Sequence, residues 1–503
     1  MNAHFKILKG TSFLSVAEVV TQGCSLARNV ILARFLTKSD FGVAAMLGMI
    51  LTLFEMSGKM ALGQQVIQSP HGDEPRFVSA VHFTQFAAGA VSAVLILVLA
   101  WPLAQCFPGP QYFASIMMLA LIPFITGLNN LDVYRRTRRL GFGPLVLTDT
   151  VPQVATTLAA WPLAAWFRDY RAVLWLLLGK AFLNAAMTHL LAQRRYSLRL
   201  DGYWLRESLK FGWPLLLSGF IQFGNFQGDS MVVAASYTMS QLGEYSVALT
   251  MAVALSVAIL RISAAVGLPL LAEVQHDVPR FVSRYSRYAQ IMALVGCCAM
   301  LGVLFCGEQF VVVLFGAKYA GVGALACWLT AAQGLRILRG AAVVAAMAKG
   351  DTVNNLVSSS WRLSGLLLAV LVGVSKASLA WFAVAAFVGE AVALWAALAR
   401  LASEHSLPSR IMLAPALLGL VLVLFGELIK WCVPIGHLSY LSWLLLPATM
   451  VLSVGVFAAC FPELRSATIV FIAGLRAKAG SPVPGKYRAV PAPVKAMSSD
   501  TWE

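Results

Sequence analysis

Apolar runs long enough to cross a bilayer as helix, about 20 residues each, recur along the whole chain with short polar breaks between them. Reading the runs between charged or Pro/Gly-rich breaks predicts fourteen segments: roughly 11–35, 41–66, 78–104, 112–133, 142–166, 172–193, 211–236, 242–271, 283–306, 320–348, 352–374, 378–399, 411–432 and 440–461. The first two carry charges inside the apolar run and are marginal by hydropathy alone. The pattern predicts an all-α integral membrane protein with about fourteen transmembrane helices.

Composition narrows this further. Of 503 residues, 59% are hydrophobic and 12% charged. Soluble domains carry about 25% charged residues, so one large water-soluble enzyme is excluded. The net charge of +16 would suit a nucleic-acid binder, but the placement of the charges excludes that partner. Counting connections alternately from the N-terminus, 24 lysines and arginines fall on the N-terminal side and seven on the other. Positive charge marks the cytoplasmic side, so both termini are expected in the cytoplasm and the span count must be even. The basic, Pro-rich tail within 466–503 reads as disordered and able to touch anionic membrane lipid. The eight cysteines form no CxxC or Cys/His ligand spacing and read as small packing residues. The N-terminus does not read as a cleavable signal: Lys6 and Lys9 precede a long segment containing Glu18 and Arg28.

Three short matches reveal an internal repeat. TKSDFG at 37–42 matches TMSQLG at 238–243, offset 201; DEPRF at 73–77 matches DVPRF at 277–281, offset 204; GLNNLD at 127–132 matches GLRILR at 334–339, offset 207. The order is kept and the offset grows by three each time. The repeat divides the chain into an N-lobe, 1–200, with helices 1–6, and a C-lobe, 201–405, with helices 7–12. Accessory helices 13–14 follow at 406–465, then the tail. Six spans per half give both halves the same orientation, a parallel pseudo-two-fold repeat, and proteins built this way bind substrate between the halves.

The motifs LARFLTKSDFG (32–42), LGQQVIQ (62–68) and LKFGWPLLLSG (209–219) resemble the polysaccharide transporter family of the multidrug/oligosaccharidyl-lipid/polysaccharide flippase superfamily, over roughly residues 5–405. The resemblance implies a flippase for undecaprenyl-pyrophosphate-linked oligosaccharide in the bacterial inner membrane, serving lipopolysaccharide, exopolysaccharide or capsule. It implies a polysaccharide polymerase and export machinery as partners, and fourteen spans.

Ionisable groups inside spans cost about 2.5–3.5 kcal/mol each on insertion scales, so they are functional candidates. Segment 1 carries Thr11, Ser15, Glu18, Gln22, Ser25 and Asn29 at helical spacing on one face; segment 7 carries Ser218, Gln222, Asn225 and Asp229. Such stripes line a watery interior or a polar helix–helix interface. At offset 201, Arg28 corresponds to Asp229, and the two could pair across the interior. Lys59 and Arg261 also correspond within one residue. Glu55 stands four residues before Lys59, where it could neutralise it. Arg261 has no acid nearby in its own span, which makes it the stronger anion ligand. Arg336, Arg339 and Arg362 form a second cationic group, suited to phosphate; the alternative is pairing with Asp132 or Asp149. Lys180, His189, Glu390 and Glu427 read as structural. In flippases of the superfamily, cations on spans 1, 2 and 8 are implied to hold the lipid pyrophosphate, and Arg28, Lys59 and Arg261 occupy those spans here.

The sequence contains no GxxxxGK[ST], HExxH or GxSxG motif, so neither an enzyme nor a cofactor is expected. Energy would come from an ion gradient or from consumption of the product, with Glu18 the acid best placed for ion coupling. The competing readings are a drug or cation exporter of the same fold, and a membrane glycosyltransferase or polymerase. Abundant intramembrane cations disfavour the first, and short extracytoplasmic connections disfavour the second.

Overall fold

The computed structural model describes residues 3–58, 62–107, 110–138, 141–432, 440–462 and 464–465. Lys59, the side chains of Thr11 and Ser15, and the tail 466–503 lie outside the described residues. The described residues form helices and no strand. The first six expected segments map onto α1 (Ala3–Phe35), α2 (Lys38–Gly58) with α3 (Leu62–Gln68), α4 (Pro75–Cys106), α5 (Phe113–Leu119) with α6 (Leu121–Gly127), α8 (Gly143–Phe167) and α9 (Arg171–Leu191), with the short α7 (Asp132–Arg138) ahead of α8. The next six map onto α10 (Gly202–Ser236), α11 (Met239–Ala272), α12 (Val278–Phe315), α13 (Gly323–Ala348), α14 (Val353–Ser375) and α15 (Ala380–His405). The last two are α16 (Arg410–Cys432) and α17 (Tyr440–Cys460).

Among the described residues, ten helical stretches are long and apolar enough to cross a membrane. Helix α17 falls outside that ten because its apolar stretch, Leu445–Cys460, is shorter, and α1, α8 and α10 also fall outside it. Polar residues dilute the apolarity of α1, α8 and α10: Glu18, Gln22 and Arg28 on α1, Thr148, Asp149 and Gln153 on α8, Gln222, Asn225 and Asp229 on α10.

The paired motifs start helices. Thr37 Oγ accepts from the Asp40 amide at the head of α2 (3.0 Å). Thr238 and Gln241 form a full capping box at the head of α11. Asp277 accepts from the Arg280 amide at 3.1 Å, with Pro279 in the first turn of α12, and Pro75 opens α4 in the same way. The ends match too. Arg168 closes α8 and Lys376 closes α14, both left-handed at φ 54°. Neither is the glycine usual there.

Helix pairing follows the same correspondence. Helix α1 packs on α8 as α10 packs on α14; α8 packs on α9 as α14 packs on α15; α4 packs on α6 as α12 packs on α13. Between the first and second sets, α2 packs on α10 and α11. The α2–α11 crossing is close enough that a Cβ on Gly42 would overlap the Met239 carbonyl oxygen, and one on Gly243 would overlap the Lys38 carbonyl oxygen. Beside it, Lys38 Nζ meets Glu244 at 2.7 Å, and Arg34 at the end of α1 donates to the Leu314 carbonyl of α12 at 2.8 Å. One apolar core, including Leu36, Met46, Tyr245, Phe315 and Tyr319, fills this end of the molecule across both sets. A second core joins α12, α13 and α15 to α16 and α17.

Candidate functional site

The structure sorts the candidate residues into two groups and a lone cation. The first group bridges α1 and α11. Arg261 Nη1 is in direct contact with Glu18 Oε1, and the same oxygen accepts from Gln22 Nε2 at 3.0 Å. Both charged side chains are half-exposed, 48% for Arg261 and 44% for Glu18. Arg261 has no acid near it in its own span; its partner comes from another helix, which spacing within one span could not reveal.

The second group lies within the second six helices and centres on Glu390 of α15. Its carboxylate is fully buried. One oxygen accepts from Arg362 Nε on α14 at 2.7 Å, the other from Arg339 Nε on α13 at 3.0 Å. Arg362 also approaches Asp229 of α10 at 3.7 Å and donates to Asn225 Oδ1 at 3.4 Å. Asn225 in turn donates to the Ser359 carbonyl at 3.0 Å. Two cations thus meet two carboxylates in an apolar interior. This is the arrangement that makes buried charge tolerable, because each charge keeps an opposite charge beside it.

Three expectations are corrected here. Asp229 faces Arg362, not Arg28. Arg339 and Arg362 pair with Glu390 rather than with Asp132 or Asp149; Asp132 is held by Arg135 at 2.6 Å at the head of α7. Glu390, read from sequence as structural and left out of the site, is the hub of the cluster. The signal available in the sequence was a lone acid in the Ala-rich stretch FAVAAFVGEAVALWAA, which an apolar helix does not carry without a partner.

Arg336 is placed differently from its neighbours. Its guanidinium lies over the Phe226 ring, 4.3 Å from the centroid, and it has no carboxylate within 4.0 Å among the described residues. Stacking on an aromatic face leaves the guanidinium edge free to bind oxyanions. Because the other four charges balance, Arg336 leaves this group with a surplus positive charge.

Arg28, half-buried on α1, has neither an ion pair nor a hydrogen-bond partner among the described residues. Gln222 is exposed on α10, and Glu55 is half-buried on α2. Among the described residues no cluster of His, Cys, Asp or Glu is arranged to hold a metal ion.

Ten helical stretches long and apolar enough to cross a membrane, among the described residues, define a multi-pass membrane protein. The chain belongs to the family described as polysaccharide biosynthesis protein, whose pattern matches residues 31–323. It is 24% identical over 321 residues to the succinoglycan biosynthesis transport protein ExoT of Rhizobium meliloti (strain 1021), covering 62% of this chain and 63% of that protein. It is 20% identical over 330 residues to the lipopolysaccharide biosynthesis protein WzxC of Escherichia coli (strain K12), covering 64% and 66%. The chain therefore spans just under two thirds of the length of these relatives. The fold is that of the lipid II flippase MurJ in an inward closed conformation, with TM-score 0.69, 13% identity, and 90% of this chain and 98% of that one covered. An inward-facing MATE family multidrug resistance transporter of the MOP superfamily shares it, with TM-score 0.62, 13% identity, and 79% and 99% covered.

Proposed function

We propose that the protein is a flippase that carries an undecaprenyl-pyrophosphate-linked oligosaccharide across the bacterial inner membrane for lipopolysaccharide or exopolysaccharide synthesis. In this reading the chain crosses the membrane fourteen times with both termini in the cytoplasm. Residues 1–200 and 201–405 are two lobes related by a rotation about the membrane normal, and they rock between inward-open and outward-open states. Helices α16 and α17 are accessory. A polymerase and export machinery take the product onward. The matching helix pairs and caps of the two halves support the lobe division.

The observation that carries the reading is Arg28. A guanidinium inside a membrane span with no anionic partner is costly and is stabilised by an anion that arrives. A pyrophosphate brings at least two negative charges, while its prenyl chain stays in lipid. Arg28, with Lys59 and Arg261, is assigned to that headgroup. Arg336 on its Phe226 platform supplies a further surplus charge, and Gln22 and Gln222 offer donors to sugar hydroxyls. Arg339 and Arg362 serve instead to hold Glu390 and Asp229. The ion pairs and the surplus cations speak for an anionic headgroup over a cationic drug.

The test is made in a strain that depends on this protein for its polysaccharide. Arg28→Ala, normally inserted, is expected to abolish polymer output and to raise the pool of lipid-linked oligosaccharide, while Arg28→Lys keeps much of the output. Full output from Arg28→Ala would overturn the assignment.

A further inference from the structure

We propose that Glu18 is a resident counter-anion for Arg261, which the incoming diphosphate displaces; this rests on the flippase reading above. Glu18 and Arg261 stand on α1 and α11, one in each half of the chain, and their contact ties the halves together. Both are half-exposed, so a ligand can reach them. The contrast with Glu390 is instructive. That carboxylate is fully buried between two arginines that are themselves buried, and no ligand can exchange with it without opening α13, α14 and α15.

The local chemistry is arranged for exchange. Glu18 has a second partner on its own helix, Gln22, at 3.0 Å. When Arg261 turns away, the carboxylate keeps a donor and is not stranded. A single half-exposed ion pair contributes little, whereas a diphosphate offers several oxyanions to a guanidinium in paired geometry. The exchange therefore runs toward the ligand at a small cost in affinity.

Position along α1 adds direction. Arg28 lies ten residues beyond Glu18 toward the α1 terminus at Phe35, about 15 Å at helical rise, and it has no partner among the described residues. An anion that has taken Arg261 from Glu18 finds the next cation unoccupied. Taking Arg261 also cuts the α1–α11 link. The contacts of the opposite end, Lys38 with Glu244 and Arg34 with the Leu314 carbonyl, are untouched. Arrival of substrate is thereby converted into loosening of one end of the contact between the halves.

Farnesyl diphosphate binding to the purified full-length protein in detergent tests this. Glu18→Gln should tighten binding about fivefold, the worth of one exposed ion pair. Arg261→Gln should weaken it. The double variant should bind like Arg261→Gln, because without Arg261 there is no competition to relieve. If Arg261→Gln weakens binding but Glu18→Gln leaves it unchanged or weaker, Glu18 is not a competitor and the inference fails while the cationic site stands. If Arg261→Gln binds as tightly as the parent, the flippase headgroup assignment itself fails at this residue. Glu18→Ala, which removes the same charge, gives the same readout should Glu18→Gln not remain monodisperse.

Discussion

Gly42 on α2 and Gly243 on α11 face each other at a crossing where neither has room for a Cβ. A Cβ on Gly42 would overlap the Met239 carbonyl oxygen, and one on Gly243 the Lys38 carbonyl oxygen. Both pairs, Gly42 with Gly243 and Lys38 with Met239, are 201 residues apart. The clash is therefore reciprocal, as two related helices crossing about a local two-fold require. Two backbones meet here, so no side chain can swing aside.

Gly42→Ala and Gly243→Ala should each lower the melting temperature, by the equivalent of about 1–3 kcal/mol of overpacking. Once one substitution has pushed α2 and α11 apart, the second meets less resistance. The double variant should thus lose clearly less than the sum, a coupling that neighbouring sites show and independent ones do not. Strict additivity in thermal melts would contradict the shared crossing.

Glu390 should be the most sensitive charge in the interior. Glu390→Ala leaves Arg339 and Arg362 facing each other without their common anion, a loss on the order of 3–5 kcal/mol for a broken buried pair. The expected outcome is poor expression or a large drop in melting temperature. Replacing the charges together, Glu390→Leu with Arg339→Met, should recover part of it. A Glu390→Ala protein that melts like the parent would show that the cluster contributes no stability.

Asp351, between α13 and α14, gives a pH signature. Burial pushes its pKa up, but the hydrogen bond from Arg400 Nε at 2.9 Å and that from the Asn354 amide at 3.1 Å outweigh this and hold it below the ordinary value. A carboxyl depressed in the folded state stabilises fully above its unfolded value, about 3.9, and loses that contribution as pH falls through the folded value. The melting-temperature gap between the parent and Asp351→Asn should be open at pH 7 and should close as the pH is lowered through the carboxylate range. A gap that does not change with pH would remove the role of the charge.

Orientation is checked by reporter fusions. A fusion after Asp169, between α8 and α9, should be active as a periplasmic reporter, and one after Glu273, between α11 and α12, as a cytoplasmic one. The reverse pattern would invert the topology read from lysine and arginine placement.

Among the described residues, each of the fourteen apolar runs read from the sequence coincides with one helix or a pair of shorter ones. This was legible because hydropathy and helix breaks are local properties. The weak motif matches were legible for the same reason: Thr238, Asp277 and Pro75 are helix-start chemistry, and capping depends on three or four consecutive residues. Charge pairing was not legible. The partner of Arg261 is Glu18, 243 positions away in the chain, and the partners of Glu390 come from α13 and α14. Which face of a helix meets which neighbour is set by packing among many helices, and nothing in one span records it. The expected pairing of Arg28 with Asp229, read from the 201-residue offset, gave a wrong contact. Equal places in two repeats need not meet across the axis.

In the proposed function a lipid-linked diphosphate crosses past Arg28, which has no ion-pair partner among the described residues. Purified protein in proteoliposomes, with undecaprenyl-pyrophosphate-linked oligosaccharide in one leaflet, measures this directly as the rate at which the sugar becomes accessible on the other side. Transfer should run well above that in protein-free vesicles, fall to near that background with Arg28→Ala and be largely kept with Arg28→Lys. Transfer no faster than in protein-free vesicles, or equal for the parent and Arg28→Ala, would contradict it.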